Sequence, residues 1–167
     1  MKVEILTVGP LRTKCYLIIK DKQCLVVDPG AEPERIINFI KEHNLNPKGY
    51  LITHGHFDHM MAVEDIKAEF GIELHTPDEL FNYEIISTPG HTKDSICFYF
   101  KDNDFILTGD TLFKETVGRT DFPGGNEQDL IKSLEILKKL PVKTVVYPGH
   151  GNSTTIGAEL KNNEWLR

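Results

Sequence analysis

Three histidines and an aspartate lie within six consecutive positions, 54 to 59, in the stretch ITHGHFDHMMA. His54 and His56 are two residues apart, so in extended backbone their side chains lie on the same side and can bind one ion. Asp58 and His59 follow at the start of a predicted helix, where adjacent side chains diverge by roughly 100° and can reach a second ion. This spacing of titratable donors predicts a metal site.

Three later segments, EIISTPGH, FILTGD and VVYPGH, repeat one pattern in which an apolar run and a turn with Gly or Pro lead to His or Asp. A lone His-x-His pair would be a weak signal, but four strand ends with the same pattern favour a metal centre over unrelated surface histidines. Zinc takes about four nitrogen, oxygen or sulfur ligands. Seven donors therefore suit two ions that share one carboxylate, with water completing each shell. The predicted ligands are His54, His56, Asp58, His59, His91, Asp110 and His150.

The elements that must position these donors are a mixture of strands and helices. Runs rich in β-branched residues predict strands, with a hairpin turn near Asp21 and Lys22; they are VEILTV, CYLIIK, CLVVDPG, GYLIT, EIIST, SICFYF, DFILTG and KTVVYPGHG. Apolar residues at helical spacing predict helices that begin at Pro33, span Asp58 to Phe70 and Asn126 to Leu140, and close the chain from Thr155 to about Glu164.

Composition predicts one globular domain over residues 1–167, because 167 residues with 40% hydrophobic content can bury one core. A net charge of −6 argues against a nucleic-acid-binding surface. No apolar run is long enough to cross a membrane, and the N-terminus MKVEILTVGPL is too polar for a signal peptide. Three cysteines beside apolar strand residues predict reduced, buried thiols and a cytoplasmic location.

The motif THGHFDH, followed by PGHT, TGD and PGHG, resembles the metallo-β-lactamase superfamily over essentially the whole chain. The resemblance implies an α/β (α+β) fold, a four-layer αββα sandwich of two mixed β-sheets flanked by helices. It also implies which donors act together. The first metal would be held by His54, His56 and His91, and the second by Asp58, His59 and His150. Asp110 would bridge the two metals.

Two further stretches, GRTDFPGG and YPGHGNSTTIG, are similar to short glyoxalase II-like hydrolases that consist of the catalytic domain alone. This resemblance implies hydrolysis of a thioester of the hydroxyacyl-glutathione type. Relatives with high glutathione affinity carry an extra C-terminal helical domain, and this sequence ends at Arg167 without it. Another thiol, or a lactone, therefore stays open as the substrate.

The expected chemistry follows from the donor set. Two dications about 4 Å apart lower the pKa of a shared water to about 7, which provides hydroxide at neutral pH. Two dications, Asp58 and Asp110 as the catalytic carboxylates and one hydroxide leave the site with a formal charge of about +1, so it can polarise a carbonyl. A thiolate leaves without strong protonation, because a thiol has a pKa of about 8.5. Zinc is the predicted metal, and iron and manganese accept the same ligands.

The predicted partner is a small molecule, an anionic acyl-thioester, with neither nucleic acid nor membrane involved. Arg119 in GRTD is the candidate for binding a substrate carboxylate, and an ion pair with Asp121 is the alternative.

A second enzyme class stays open. Persulfide dioxygenases share the fold and a similar GRTDF stretch but use one iron, which His54, His91 and Asp110 would hold here. The stretches YPGHG and TTIG resemble the hydrolases more closely. A purely structural metal role is disfavoured, because structural zinc sites are closed by four protein ligands, whereas seven donors for two ions leave open positions.

The sequence departs from the family pattern at three places. Met61 and Ala62 stand where relatives have glycine or alanine, and both Met60 and Met61 are predicted to fill the core. Lys93 and Asp94 replace the usual Pro-Gly after PGHT, which puts that loop's conformation in question. The interval from His59 to His91 is short, which predicts a more open cleft.

Overall fold

The computed structural model describes all residues from Met1 to Arg167, and they divide into two compact units. Unit 1 comprises Met1–Ile52 and His56–Leu80, and unit 2 comprises Thr53–Gly55 and Phe81–Arg167. Each unit contains one mixed sheet, which confirms the predicted α+β class with two mixed sheets. No helix in either unit is both long and apolar enough to cross a membrane. A single domain over residues 1–167 stays a prediction.

The sheet of unit 1 contains four strands in sequence order. They are β1 (Lys2–Val8), β2 (Thr13–Lys20), β3 (Gln23–Val27) and β4 (Asn46–Leu51). The first three pair antiparallel, whereas β3 and β4 pair parallel and are connected by helix α1 (Pro33–Glu42). Asp21 and Lys22, between β2 and β3, both have positive φ, as a two-residue hairpin turn requires. The predicted hairpin is thereby confirmed.

The core of unit 1 joins the sheet to its helices. Ile36 and Ile40, four residues apart on α1, are fully buried and belong to one cluster with Leu17 and Val26 of the strands. Pro33 fits the first turn of α1, where its missing N–H costs no hydrogen bond. The apolar spacing that predicted this helix therefore corresponds to its buried face.

The predicted helix from Asp58 to Phe70 is wrong as one element, because it is divided into α2 (Phe57–Met60) and α3 (Val63–Phe70). The N–H of Ala62 donates to the carbonyl of Pro29 at 2.9 Å instead of continuing the helical ladder. Met60 and Met61 are 42% and 64% exposed, so the prediction that they fill the core is also wrong.

The sheet of unit 2 has the order β11-β10-β7-β6-β5. Its strands are β5 (Glu84–Ser87), β6 (Ile96–Phe100), β7 (Phe105–Gly109), β10 (Val145–Pro148) and β11 (Thr154–Thr155). Only β7 and β10 pair parallel. Between them in sequence, β8 (Leu112–Phe113) and β9 (Thr116–Val117) form a separate hairpin that the sequence did not predict. Strands of two residues are too short to display an alternating pattern.

Two helices of unit 2 begin at polar capping residues. The Asn126 side chain accepts a bond from the N–H of Asp129 at the start of α4 (Glu127–Leu137), and the Thr155 hydroxyl does the same for Ala158 in α5 (Ile156–Asn162). Both helices were predicted and end a few residues early. Short 3-10 helices span Lys101–Asn103 and Glu164–Leu166. The buried core of this unit includes Cys97, Ile106, Leu130, Leu134, Val146 and Ile156.

Candidate metal centre

Unit 2 brings together four of the predicted ligands: His54, His91, Asp110 and His150. The Nε2 atoms of His91 and His150 lie 3.6 Å and 3.5 Å from the same oxygen, Oδ2 of Asp110. The rings of His54 and His91 meet edge to face with centroids 4.9 Å apart, and both side chains are buried. Two imidazoles that converge on one carboxylate oxygen form the arrangement expected around a bridging aspartate.

Parallel strands explain how Asp110 and His150 meet. Asp110 directly follows β7, and His150 lies two residues beyond the end of β10, its parallel neighbour. The N–H of Gly149 donates to the carbonyl of Gly109 at 2.8 Å, so the two strand ends stay joined past the last ladder pair. The apolar-turn-ligand pattern therefore delivers both donors to one edge of the sheet.

Unit 1 contains the other three predicted ligands: His56, Asp58 and His59. His56 precedes α2 in extended backbone, and the other two lie in its first turn. Nε2 of His59 lies 3.6 Å from Oδ2 of Asp58, and His59 is fully buried. The hydroxyl of Thr13 donates to the same Asp58 oxygen at 2.8 Å, which orients the carboxylate.

Hydrogen bonds at Nδ1 set the orientation of three imidazoles. His59 donates from Nδ1 to Oδ2 of Asp28 at 2.9 Å, and His91 donates to the backbone carbonyl of Arg119 at 2.8 Å. Nδ1 of His54 lies 3.1 Å from the hydroxyl of Thr53. A histidine whose Nδ1 is engaged in this way presents Nε2 to a metal, which is the usual arrangement at metal centres.

Asp28 is a residue that the sequence analysis missed. It follows β3 directly, has φ of 49° and is 1% exposed, and its backbone N–H donates to Leu51. A related signal was present in CLVVDPG, where an apolar run also leads to an acidic residue beside a Pro-Gly turn, but here the acid precedes the turn instead of following it. Its partner, His59, could not be found from the sequence, because 31 positions separate them.

Two glycines allow close backbone packing against the predicted aspartate ligands. A Cβ at Gly30 would lie 1.6 Å from the carbonyl oxygen of Asp58, and one at Gly118 would lie 1.8 Å from that of Asp110. Neither position has room for any side chain. Each unit therefore requires glycine where a second segment supports the backbone of a ligand residue.

Arg119 has the ion pair that was the alternative to substrate binding. Its guanidinium makes two 2.7 Å bonds to the carboxylate of Asp121 and lies 3.6 Å above the ring of Phe122. The hydrogen bonds from Arg119 lower the pKa of Asp121 to about 2. The contact of Arg119 with the candidate centre is made by its backbone carbonyl on His91, and a substrate role for its side chain stays a prediction.

The Lys93-Asp94 loop, where the sequence leaves the family pattern, is a turn closed by its own hydrogen bonds. The N–H of Thr92 donates to the Ser95 hydroxyl at 3.2 Å, and the two hydroxyls are 2.8 Å apart. A hydrogen bond from the Thr92 side chain lowers the pKa of Asp94. The loop is thus ordered although it lacks Pro-Gly.

A cavity in each unit borders predicted ligands. In unit 2, about 350 Å³ lies beside His150, between the β8–β9 hairpin and the residues that follow this histidine. In unit 1, about 210 Å³ lies beside Asp58 and has a mostly apolar lining. The main apolar side chains there are those of Val8, Pro10, Leu11, Phe57 and Met61.

The donor set fits divalent metal ions. Imidazole nitrogens and carboxylate oxygens are ligands that zinc, iron and manganese accept. All seven predicted ligands belong to clusters of His and Asp side chains that could hold a metal ion. Such ions bind where the imidazoles are buried and hydrogen-bonded at Nδ1, and where hydrogen bonds or close backbone packing hold the carboxylates in place.

Comparison with known proteins gives one consistent result. The model of the metallo-beta-lactamase superfamily matches residues 8–84 and 77–150. Among curated proteins, the hydroxyacylglutathione hydrolase GloC of Haemophilus influenzae is 34% identical over 209 residues, covering 99% of this chain and 98% of GloC. The alignment is longer than this chain, so GloC carries residues that this chain lacks.

Solved structures give the same result. BLEG-1, a B3 metallo-beta-lactamase, superposes with a TM-score of 0.94 at 29% identity, covering 99% of both chains. TTHA1623, in a di-iron-bound form, gives 0.91 at 30% identity, covering 98% of this chain and 100% of that one. The predicted metallo-β-lactamase fold is confirmed.

Proposed function

Because the chain belongs to the metallo-β-lactamase superfamily and has candidate His and Asp metal sites, we propose that it is a dinuclear hydrolase of hydroxyacyl-glutathione-type thioesters. The observation that carries the proposal is the approach of His91 and His150 to one oxygen of Asp110. Such an arrangement suits a carboxylate shared by two ions. The similarity to GloC, a hydroxyacylglutathione hydrolase, supports the substrate class.

The proposed ligand sets are those that the sequence resemblance implied. His54, His56 and His91 would hold one ion, and Asp58, His59 and His150 the other, with Asp110 shared. When bound, such ions supply Lewis acidity and lower the pKa of water enough to provide a nucleophile at neutral pH. The hydrogen bonds at Nδ1 of His59 and His91 support this assignment, because they leave Nε2 available.

The protein's own contribution is to hold the donors rigidly and to admit the thioester. Water adds to the carbonyl carbon, the carbon–sulfur bond breaks, and the products are a carboxylic acid and a thiol. The sulfur leaves as thiolate, since a thiol has a pKa of about 8.5, so no side chain is needed as a strong acid at this step. Asp58 and Asp110 are the proposed catalytic carboxylates, and the cavity beside His150 offers room for the substrate.

Zinc is the proposed metal, and iron is the main alternative. Histidine and carboxylate accept both metals, and TTHA1623 was solved in a di-iron-bound form. Three free, buried cysteines support the proposed cytoplasmic location, since reducing compartments keep thiols unpaired.

One observation favours a second candidate, an iron persulfide dioxygenase. Its three predicted ligands, His54, His91 and Asp110, all lie in unit 2, and His91 is close to both of the others. That reading leaves His59 without a role, although a buried aspartate, Asp28, orients it. The hydrolase proposal uses these residues and is preferred for this reason.

Four measurements on the purified full chain test the proposal. Metal content is measured on the native protein, and the zinc-loaded and iron-loaded forms are assayed for thiol release from a panel of acyl-thioesters that includes S-lactoylglutathione. Lactone hydrolysis and oxygen uptake with glutathione persulfide are measured in parallel. We expect two ions per chain and thiol release. Failure to release thiol from any thioester would overturn the proposal, and oxygen uptake with one iron would favour the dioxygenase.

A further inference from the structure

The cavity beside His150 has a lining suited to an anionic ligand. One wall is the β8–β9 hairpin with Phe113, Lys114 and Thr116, and the other is the segment His150 to Asn152. Lys114 is the cation among these lining residues, and Thr116 and Asn152 add a hydroxyl and an amide. The ring of Phe113 meets His150 edge to face at 6.2 Å, so the cavity directly borders a predicted metal ligand.

We propose that this cavity binds the carboxylate-bearing thiol portion of the substrate, with the Lys114 ammonium contacting a carboxylate. The inference rests on the proposed thioesterase function and specifies its substrate as a thioester of an anionic thiol. A substrate held in this way would have its carboxylate at the hairpin and its thioester carbon toward His150. Lys114 then determines specificity without taking part in the chemistry.

The hairpin that carries Lys114 is held by a buried carboxylate. Glu159 is 1% exposed and accepts hydrogen bonds from the backbone N–H of Glu115 at 2.7 Å, the hydroxyl of Thr154 at 2.6 Å and the amide of Asn163 at 2.9 Å. Asn163 also donates to the carbonyl of Thr116 at 3.1 Å. A buried carboxylate is costly unless such donors satisfy it. Here they fix Glu115 and Thr116, the two residues that follow Lys114.

The same carboxylate also holds the opposite wall. Thr154 begins β11, four residues after His150, and its bond to Glu159 anchors the end of the loop that forms this wall. Glu159 therefore connects the hairpin to the chain segment that carries the metal ligand. This network indicates a cavity of defined shape.

The charges nearby favour Lys114 over Arg119 as the anion-binding residue. The guanidinium of Arg119 is committed to Asp121 by two 2.7 Å bonds. The ammonium of Lys114 lies 4.0 Å from the nearest carboxylate oxygen of Glu115, and its side chain is half exposed. An exposed pair at that distance contributes little, so the ammonium can bind a substrate carboxylate at small cost.

The first test compares two thioesters of the same acyl group, one of glutathione and one of the neutral thiol N-acetylcysteamine. In Lys114→Ala we expect KM for the glutathione thioester to rise about tenfold, which corresponds to about 1.4 kcal/mol, with kcat nearly unchanged. KM for the neutral thioester should stay the same. Lys132→Ala, which removes an exposed lysine of α4, is the matched control and should change neither value. Equal losses with both thioesters would overturn the inference.

A binding measurement separates this inference from the proposed function. Calorimetry with glutathione on the zinc-loaded protein should give a dissociation constant about tenfold weaker in Lys114→Ala than in the unaltered chain. If neither thioester is hydrolysed, the thioesterase proposal fails and calorimetry alone decides on the cavity. Equal glutathione binding by both proteins, or no binding by the unaltered chain, would overturn the inference.

Discussion

Asp110 offers one carboxylate oxygen to two imidazoles, so the charge of this side chain matters more than its volume. In Asp110→Asn we expect thioesterase activity to fall by about a hundredfold or more, because a neutral amide cannot be shared by two dications. Metal content should fall as well. The melting temperature of the metal-free variant should match that of the metal-free unaltered protein, since the amide keeps the shape of the acid.

Asp121→Asn is the control for this variant, since it removes an exposed acidic group in the same unit. It should retain metal and most activity. Loss of folding in metal-free Asp110→Asn, at unchanged activity in the fraction that folds, would contradict a catalytic role and indicate a structural one.

Asp28 accepts a hydrogen bond at 2.9 Å from His59, a proposed metal ligand, and both side chains are buried. In Asp28→Asn, the amide oxygen can still accept from Nδ1, but the negative charge that strengthens the imidazole as a ligand is lost. We expect metal affinity to fall by about 10- to 100-fold in a competition titration with a chelator.

Asp21→Asn is a closely matched control for Asp28→Asn. Both aspartates have φ of 49°, a conformation that asparagine tolerates, but Asp21 lies in an exposed hairpin turn. Its substitution should leave metal affinity unchanged. Equal affinities of the two variants would mean that Asp28 serves folding alone.

At the scale of elements, the β8–β9 hairpin depends on Glu159 more than on its own short strands. Both carboxylate oxygens of Glu159 accept hydrogen bonds from protein donors. In Glu159→Gln, an NH2 group replaces one of these oxygens and faces a donor. We expect the free energy of unfolding in urea to fall by about 1–3 kcal/mol. The ratio of KM for the charged thioester to KM for the neutral thioester should also rise toward the ratio expected in Lys114→Ala.

The KM ratio distinguishes positioning of the cavity from general stability. Glu164→Gln, an exposed substitution just beyond α5, should change neither stability nor the ratio. A Glu159→Gln variant that is less stable but keeps the unaltered KM ratio would mean that the network does not shape the cavity.

The sequence predicted those elements whose pattern is local. The predicted strand runs, helix α1 and the capped helix α4 correspond to buried faces in the structure. The apolar-turn-ligand pattern placed Asp110 and His150 at neighbouring strand ends. The break at Met61 could not be predicted, because a bond from Ala62 to Pro29, 33 positions away, replaces a helical one. The Asp28–His59 pair and the Glu159 network are likewise products of distant contacts.

At the scale of the whole molecule, three buried thiols make the free energy of unfolding vary with pH in the alkaline range. Burial raises the pKa of Cys24 and Cys97 to about 12 and raises that of Cys15 as well, from an ordinary value of 9.0. Well below pH 9 the folded and the unfolded chain both keep the protons of these thiols. Between about pH 9 and 12 the unfolded chain releases them first, so stability falls by up to about 1.4 kcal/mol per pH unit for each thiol.

Urea denaturation at a series of pH values checks this expectation. Other groups also titrate above pH 9, so the informative quantity is the difference between the unaltered chain and Cys24→Ala. The variant should lose stability less steeply as pH rises. If the free energies of unfolding of the unaltered chain and of Cys24→Ala differ by the same amount at every pH from about 8 to about 11, the expectation is contradicted.

The β8–β9 hairpin has a consequence for how this protein could diversify. The proposed metal ligands Asp110 and His150 follow strands of the large sheet of unit 2, whereas Lys114 is at the tip of a hairpin held mainly by backbone groups and Glu159. Substitutions at position 114 leave those bonds in place. Natural variation or laboratory selection at this tip should therefore exchange one leaving thiol for another while the hydrolytic machinery is inherited unchanged.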